Sequence, residues 1–202
     1  MILKTIKKRF PNSIISVDAT SSLGGSFLDF SSADIWYSSV QKCLGLPSGM
    51  GIILINEQAI NKVKNKNINL HYNDLLNLIT NAKLWQTTHT PNILSIHALA
   101  YTQAKTASIH TINIKTKKRQ QTIIKKLKKH SLLTDTSGID SSTILTIKEN
   151  NPQNLITKAL ESDIILGKGY GNWESDTFRI ANFPSIPDTS FELLIDFLTK
   201  RA

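Results

Sequence analysis

A single cysteine, Cys43, stands in a chain of 202 residues, so no internal disulfide can form. That usage fits a reducing compartment and excludes a disulfide-stapled scaffold. No apolar run approaches the roughly 20 residues needed to cross a bilayer. The opening "MILKTIKKRF" has too short an apolar stretch for a secretory signal. The expected address is therefore the cytoplasm, with no membrane partner. No internal repeat or low-complexity linker is visible, which excludes a repeat array. No metal site is expected from the pattern of ligating residues.

What is present is a composition 40% hydrophobic, enough for one substantial core or two small ones. The formal net charge is +9, and the isoelectric point is about 9.6. The most basic stretch is "KTKKRQQTIIKKLKKH" at 115–130. It also sets Ile123, Ile124 and Leu127 at helical spacing, so it reads as an amphipathic helix with its lysines in water. Charge runs usually solvate a face rather than bind a polyanion, and nucleic acid is not an expected partner.

Three short β-branched or apolar runs open the chain: "SIISVDAT" (13–20), "ADIWYSSV" (33–40) and "GMGIILIN" (49–56). With little polar alternation they suggest a sheet covered on both faces. Residues 57–83 are polar and helical in pattern, "NDLLNLIT" (73–80) most clearly. In "THTPNILSIHALAYTQAKTA" (88–107), Thr90 is placed as N-cap and Pro91 at the first helical position, with Ile93, Ile96, Leu99 and Ala100 on one face. Further on come the basic helix, a strand at 142–149, a helix at 151–162, strands at 164–171 and 177–183, and a helix at 190–201. Alternating strands and helices indicate α/β layers, and the part after residue 107 reads as a separate small α+β unit.

Asp18 closes the first strand, and Lys42 follows the second within "SVQKCLGLPSGMG" (39–51). Ligands of open α/β sheets sit beyond the carboxyl ends of strands, so both side chains are candidates for one crevice. An amine and a carboxylate there suit pyridoxal phosphate (PLP): lysine forms the Schiff base, and a carboxylate keeps the pyridine nitrogen protonated. The turn at 88–91 is a candidate helix N-terminus for the cofactor phosphate. Arg179, one of very few arginines, offers the planar two-donor group that a substrate carboxylate takes. Local chemistry by itself also reads Asp18 as a turn residue, Lys42 as a surface lysine, Arg179 as an ion-pair residue and His89 as structural.

The stretch "SVDATSSLGGSFLDFSSADIWYSSVQKCLGLPSGMGIILIN" (16–56) resembles the lysine-bearing segment of class V aminotransferases. "TTHTPN" (87–92) is similar to that family's Thr-Pro turn, and "YGNWESDTFRIANFPSI" (170–186) to its C-terminal arginine strand. Within the class, the match is to phosphoserine aminotransferases and their relatives. The resemblance implies the fold type I of PLP-dependent transferases: a partial large domain over 1–105 with a mostly parallel sheet, and a small C-terminal α+β domain over 106–202. It implies a homodimer, amino-acid and 2-oxo-acid substrates, and these roles. Lys42 bears the cofactor and moves the substrate proton; Asp18 faces the pyridine nitrogen; Gln41 helps hold the cofactor. His89 and Thr90 reach the cofactor phosphate of the other subunit, and Arg179 binds the substrate α-carboxylate.

The chain departs from the family in two respects. Family members are much longer, and the part that supplies the opening of the large domain has no counterpart here. A complementary N-terminal fragment, or a remnant without catalysis, is therefore an alternative to a homodimer. An unpaired sheet edge and an uncovered apolar face are the expected physical consequence. "GKGYGNWESDT" (167–177) also lacks the His-Arg pair that phosphoserine aminotransferases use for the substrate phosphate, leaving Lys168 as a substitute. Transamination of alanine or serine with glyoxylate is the enzyme alternative. A cysteine desulfurase is disfavoured because Gln41, not histidine, precedes the lysine.

Overall fold

The structure, a computed structural model, describes residues 2–66, 71–127 and 141–200. The chain packs into two compact units. The first comprises Met1–Thr20, Leu28–Gln41 and Leu46–Thr106; the second comprises Ser21–Phe27, Lys42–Gly45 and Ala107–Ala202. Among the described residues no helix is long and apolar enough to cross a membrane.

In the first unit, helix α1 (Ile2–Arg9) precedes strands β1 (Ser16–Asp18), β2 (Ile35–Ser39) and β3 (Gly51–Ile55), followed by helices α2 (Glu57–Lys66), α3 (Leu75–Lys83) and α4 (Ile93–Lys105). The strand order is β1-β2-β3. β1 runs parallel to β2, with Asp18 opposite Tyr37, whereas β3 returns antiparallel to β2. The short Gly-containing connection between β2 and β3 accounts for the antiparallel return, since a parallel neighbour needs a longer crossover. The expectation of a sheet covered on both faces is corrected here. Tyr37 and Ile53 pair across β2 and β3 and are 43% and 45% exposed.

The entry to α4 also differs from the sequence reading. Its N-cap is Asn92, whose side chain accepts from the Ser95 N–H at 3.1 Å, and Thr90 and Pro91 lie ahead of the helix. Asparagine is a stronger N-cap than threonine, so the cap that sits two residues later prevails. The apolar stripe on α4 is not its buried side. Ile93 and Ile96 are exposed, and Ser95 is the buried residue.

A buried carboxylate organises the start of this unit. Asp34 accepts from the Ile15 N–H at 2.8 Å, from Lys7 Nζ at 2.6 Å and from Asn56 Nδ2 at 3.0 Å. These bonds tie α1, the start of β1 and the residue after β3 to the residue preceding β2. Burial works against the charge, yet the Ile15 N–H, the Lys7 ammonium and the Asn56 amide together hold the carboxyl below its ordinary value.

The second unit runs α5 (Ile109–Lys126), β4 (Ile144–Lys148), α6 (Pro152–Leu160), β5 (Gly167–Lys168), β6 (Thr177–Ala181) and α7 (Asp188–Lys200). Its sheet is antiparallel, in the order β4-β6-β5. Leu145 pairs with Ile180 and Ile147 with Phe178, so these four side chains share one face. They join Ile123, Ala159, Phe191, Leu194 and Leu198 in the main core. The period-2 alternation of β6 places Thr177, Arg179 and Ala181 on the opposite face.

In α5 the buried residues are Ile112, Thr116, Arg119 and Ile123, while the described lysines of the basic stretch face water as expected. Ile124, read as part of the apolar face, is exposed instead, and Arg119 turns inward over the Phe191 ring at 4.2 Å. The last residues of that stretch, 128–130, lie outside the described residues.

The lowered Asp34 value gives a pH signature. A carboxyl held below its ordinary value of 3.8 adds stability that is fully present above that value and is lost as pH falls through the lowered one. Denaturant unfolding followed by the buried Trp36 should therefore show a midpoint that drops below about pH 4. Asp34→Ala should cost on the order of 2–3 kcal/mol at neutral pH and flatten that drop, because it strands the Ile15 and Asn56 donors.

Candidate active site

The candidate residues divide between the two units. Asp18, Gln41, His89 and Thr90 belong to the first; Lys42 and Arg179 belong to the second.

Asp18 is the last residue of β1 and is exposed. Its Oδ1 accepts from the Thr20 N–H at 2.8 Å, an Asx turn made possible by the small residues that follow. Because β1 and β2 are parallel, Asp18 and the end of β2 lie at the same edge of the sheet, and Gln41 follows that end exposed to solvent. His89 and Thr90 lie in the exposed turn before α4. His89 is held by local contacts: its carbonyl accepts from Thr87 Oγ1, its Nδ1 lies 3.2 Å from Thr88 Oγ1, and its ring meets that of Tyr72 edge-on at 6.1 Å.

Lys42 occupies a tight turn closed by the Gly45 N–H donating to the Lys42 carbonyl at 3.0 Å. Gly45 has φ +70, and a Cβ there would lie 2.7 Å from Ser185 Cβ, so glycine is needed on both counts. The half-buried Lys42 directs Nζ to Ser21 Oγ at 2.9 Å, a neutral partner. Cys43 is buried and donates from Sγ to the Ser21 carbonyl at 3.2 Å. Burial pushes its thiol up to about 12, with the Lys42 ammonium pulling weakly the other way.

Arg179 sits mid-strand in β6, on the sheet face opposite the core. It lies opposite Gly167 of β5 and Thr146 of β4. A Cβ on Gly167 would meet Arg179 Cβ at 3.3 Å and Nε at 3.7 Å, so this glycine makes room for the arginine stem. Nε donates to the Lys168 carbonyl at 2.6 Å, and among the described residues no carboxylate pairs with the guanidinium. Its terminal nitrogens are thus available to a bidentate acceptor.

Lys168, the substitute for the missing His-Arg pair, does not share that position. It lies opposite Phe178, so its side chain emerges on the other face from Arg179. There it lines a groove with Asn151, Pro152 and Glu174 at the start of α6. Three contributors escaped sequence reasoning: Ser21, which receives the Lys42 amine, Gly167, which clears space for Arg179, and Thr143, which holds Ser21. The "ATSS" run after Asp18 was a signal for the first, but its long-range partner carries no mark in sequence.

The fold is that of the PLP-dependent transferases of fold type I. A phosphoserine aminotransferase from Cytophaga hutchinsonii superposes with a TM-score of 0.88 at 25% identity, over 98% of this chain and 58% of that one. An alanine–glyoxylate aminotransferase from Nostoc sp. superposes with a TM-score of 0.86 at 21% identity, over 98% and 56%. The phosphoserine aminotransferase of Corynebacterium glutamicum (strain R) is 25% identical over 92% of this chain and 54% of that protein. The model of the aminotransferase class-V family matches residues 1–170, and the chain belongs to that family. It spans little more than half the length of these relatives.

The raised Cys43 value predicts an inert thiol. Disulfide-exchange reagent at pH 8 should modify the native chain at least a hundred-fold more slowly than the unfolded chain, read by thiol absorbance.

Proposed function

We propose that this chain carries out PLP-dependent transamination between an amino acid and a 2-oxo acid in the cytoplasm, with a large domain at 1–105 and a small domain at 106–202. The observation that carries this reading is the pair of uncommitted cationic groups in the second unit. Lys42 is held by a hydroxyl rather than a carboxylate, and among the described residues Arg179 has no acidic partner. The chemistry of the candidate donors suits the cofactor: in the second unit an amine to attach an aldehyde, and in the first a strand-end carboxylate at Asp18 for a protonated pyridine nitrogen, Gln41 to help hold the cofactor, and His89 and Thr90 for the cofactor phosphate of the other subunit.

The bound cofactor would supply an electron sink for the substrate Cα carbon. The chain's own residues do the rest. Arg179 takes the substrate α-carboxylate in a two-pronged grip and so fixes which bond at Cα is presented. The Lys42 amine would be the base that takes up and hands back the substrate Cα proton. Asp18, whose carboxylate is oriented by the Asx turn to the Thr20 N–H, would face the ring nitrogen.

Phosphoserine with 2-oxoglutarate, giving phosphohydroxypyruvate and glutamate in serine biosynthesis, is the first substrate reading, supported by the likeness to phosphoserine aminotransferases. The second is alanine or serine with glyoxylate, and the orientation of Lys168 away from Arg179 favours it, because that lysine is then not the cation to hold a substrate phosphate beside the carboxylate site. A homodimer, or a complementary N-terminal fragment, is the proposed assembly. Exposed apolar residues on α4 and on the Tyr37–Ile53 face support it.

The test is an absorption spectrum of the chain with pyridoxal phosphate before and after borohydride, beside Lys42→Ala. A visible imine band that borohydride removes, fixing the cofactor on Lys42 and absent from Lys42→Ala, is expected. A wild-type spectrum identical to Lys42→Ala refutes the reading. In the loaded chain Arg179→Ala should lower kcat/KM by 10²-fold or more, on the order of the 3 kcal/mol that a charged hydrogen-bond pair supplies. A panel of phosphoserine, serine and alanine separates the two substrate readings.

A further inference from the structure

Resting on the reading of Lys42 as the attachment lysine, we propose that Ser21 is the positioning residue for its amine, and that Thr143 positions Ser21. The Ser21 hydroxyl receives Lys42 Nζ at 2.9 Å. Its backbone carbonyl is occupied twice, by Thr143 Oγ1 and by Cys43 Sγ at 3.2 Å. Thr143 is itself fully buried and immobilised. Its N–H donates to Ser141 Oγ at 3.2 Å, and its carbonyl accepts from the Asn182 N–H at 2.8 Å. Two links therefore run from the rigid end of the small sheet to the reactive nitrogen.

The chemistry of the partner suits the task. A lysine side chain has four rotatable bonds, and an unheld amine spreads over many rotamers. A carboxylate would hold it in an ion pair that must be broken before the nitrogen reacts. A hydroxyl fixes its place through a single bond that yields to an incoming electrophile. Gly25 completes the seat. A Cβ there would lie 2.5 Å from Cys43 Sγ and 2.7 Å from Thr143 Cγ2, so nothing larger fits where the two segments meet.

The test acylates the full chain with an N-hydroxysuccinimide ester of acetate and reads, by mass spectrometry, labelling at Lys42 relative to the exposed Lys83 and Lys168. Ser21→Ala should raise that ratio roughly three- to ten-fold, the range a lost hydrogen bond produces, and Ser21→Thr should restore it. Thr143→Val, which keeps the Ser21 hydroxyl but removes one of the two donors to its carbonyl, should raise the ratio by a smaller factor, and it remains informative if Ser21→Ala does not fold. An unchanged ratio in Ser21→Ala, or one that Ser21→Thr fails to restore, overturns the role of Ser21. An unchanged ratio in Thr143→Val overturns that of Thr143. Borohydride fixation of pyridoxal phosphate is scored separately. A Lys42 that responds to Ser21→Ala but takes no cofactor removes the attachment reading and with it the chemical role of Ser21. Cofactor fixed at Lys42 with equal acylation ratios in all variants keeps that reading and removes Ser21.

Discussion

The loop that bears Lys42 depends on side chains reaching backbone carbonyls far away in sequence. Thr116 Oγ1 donates to the Gly25 carbonyl at 2.9 Å, and Thr143 Oγ1 donates to that of Ser21. Asn182 ties the two donors' own segments together, giving its amide hydrogens to the carbonyls of Thr116 at 2.9 Å and Ser142 at 2.7 Å. Because both acceptors are carbonyls, the amide orientation is set by chemistry. Asn182, Thr116 and Thr143 are all fully buried, where an unmet partner would cost more than a surface bond. Segments 21–27 and 42–45 consequently pack with the second unit rather than with the strands that flank them in sequence.

The small sheet separates two duties by its pleat. Phe178 and Ile180 enter the core with Leu145 and Ile147, and the residue between them, Arg179, is left on the other face, its Nε donating to the Lys168 carbonyl. Burial of the neighbours makes the strand rigid, and rigidity is what lets a lone arginine present its terminal nitrogens in one direction. Arg119 shows the contrasting case. It is buried, stacks on Phe191, donates to the Ile186 carbonyl at 3.1 Å and lies 3.4 Å from Asp188, so its charge is spent within the fold.

Much of this was legible in the residues. The three opening strands, the Asn151–Pro152 start of α6 and the final helix all carry local signals, namely β-branched runs, a capping side chain with proline at the first turn, and apolar spacing of three and four. The reading failed where two signals of similar strength competed. Thr90 and Asn92 both qualify as caps, and geometry chose Asn92. It failed again where a pattern named a face without naming its cover: the α4 stripe and the Tyr37–Ile53 pair are apolar, yet they lie exposed. Lys168 is close to Arg179 in sequence and stands as the substitute for the missing His-Arg pair, but strand register turns it to the other face.

By itself the sequence carried the class of protein, through its resemblance to class V aminotransferases, and it nominated Lys42, Asp18 and Arg179 as candidate groups, because a lysine after a strand, an aspartate ending one and an arginine within another are local patterns. Their partners were decided only by tertiary structure. The Ser21 hydroxyl under Lys42, the Thr143 donor behind it and the glycine that admits Arg179 are set by strand register and by contacts across long stretches of chain. Hydrogen-bond reach is a few ångströms in space and takes no account of distance along the chain.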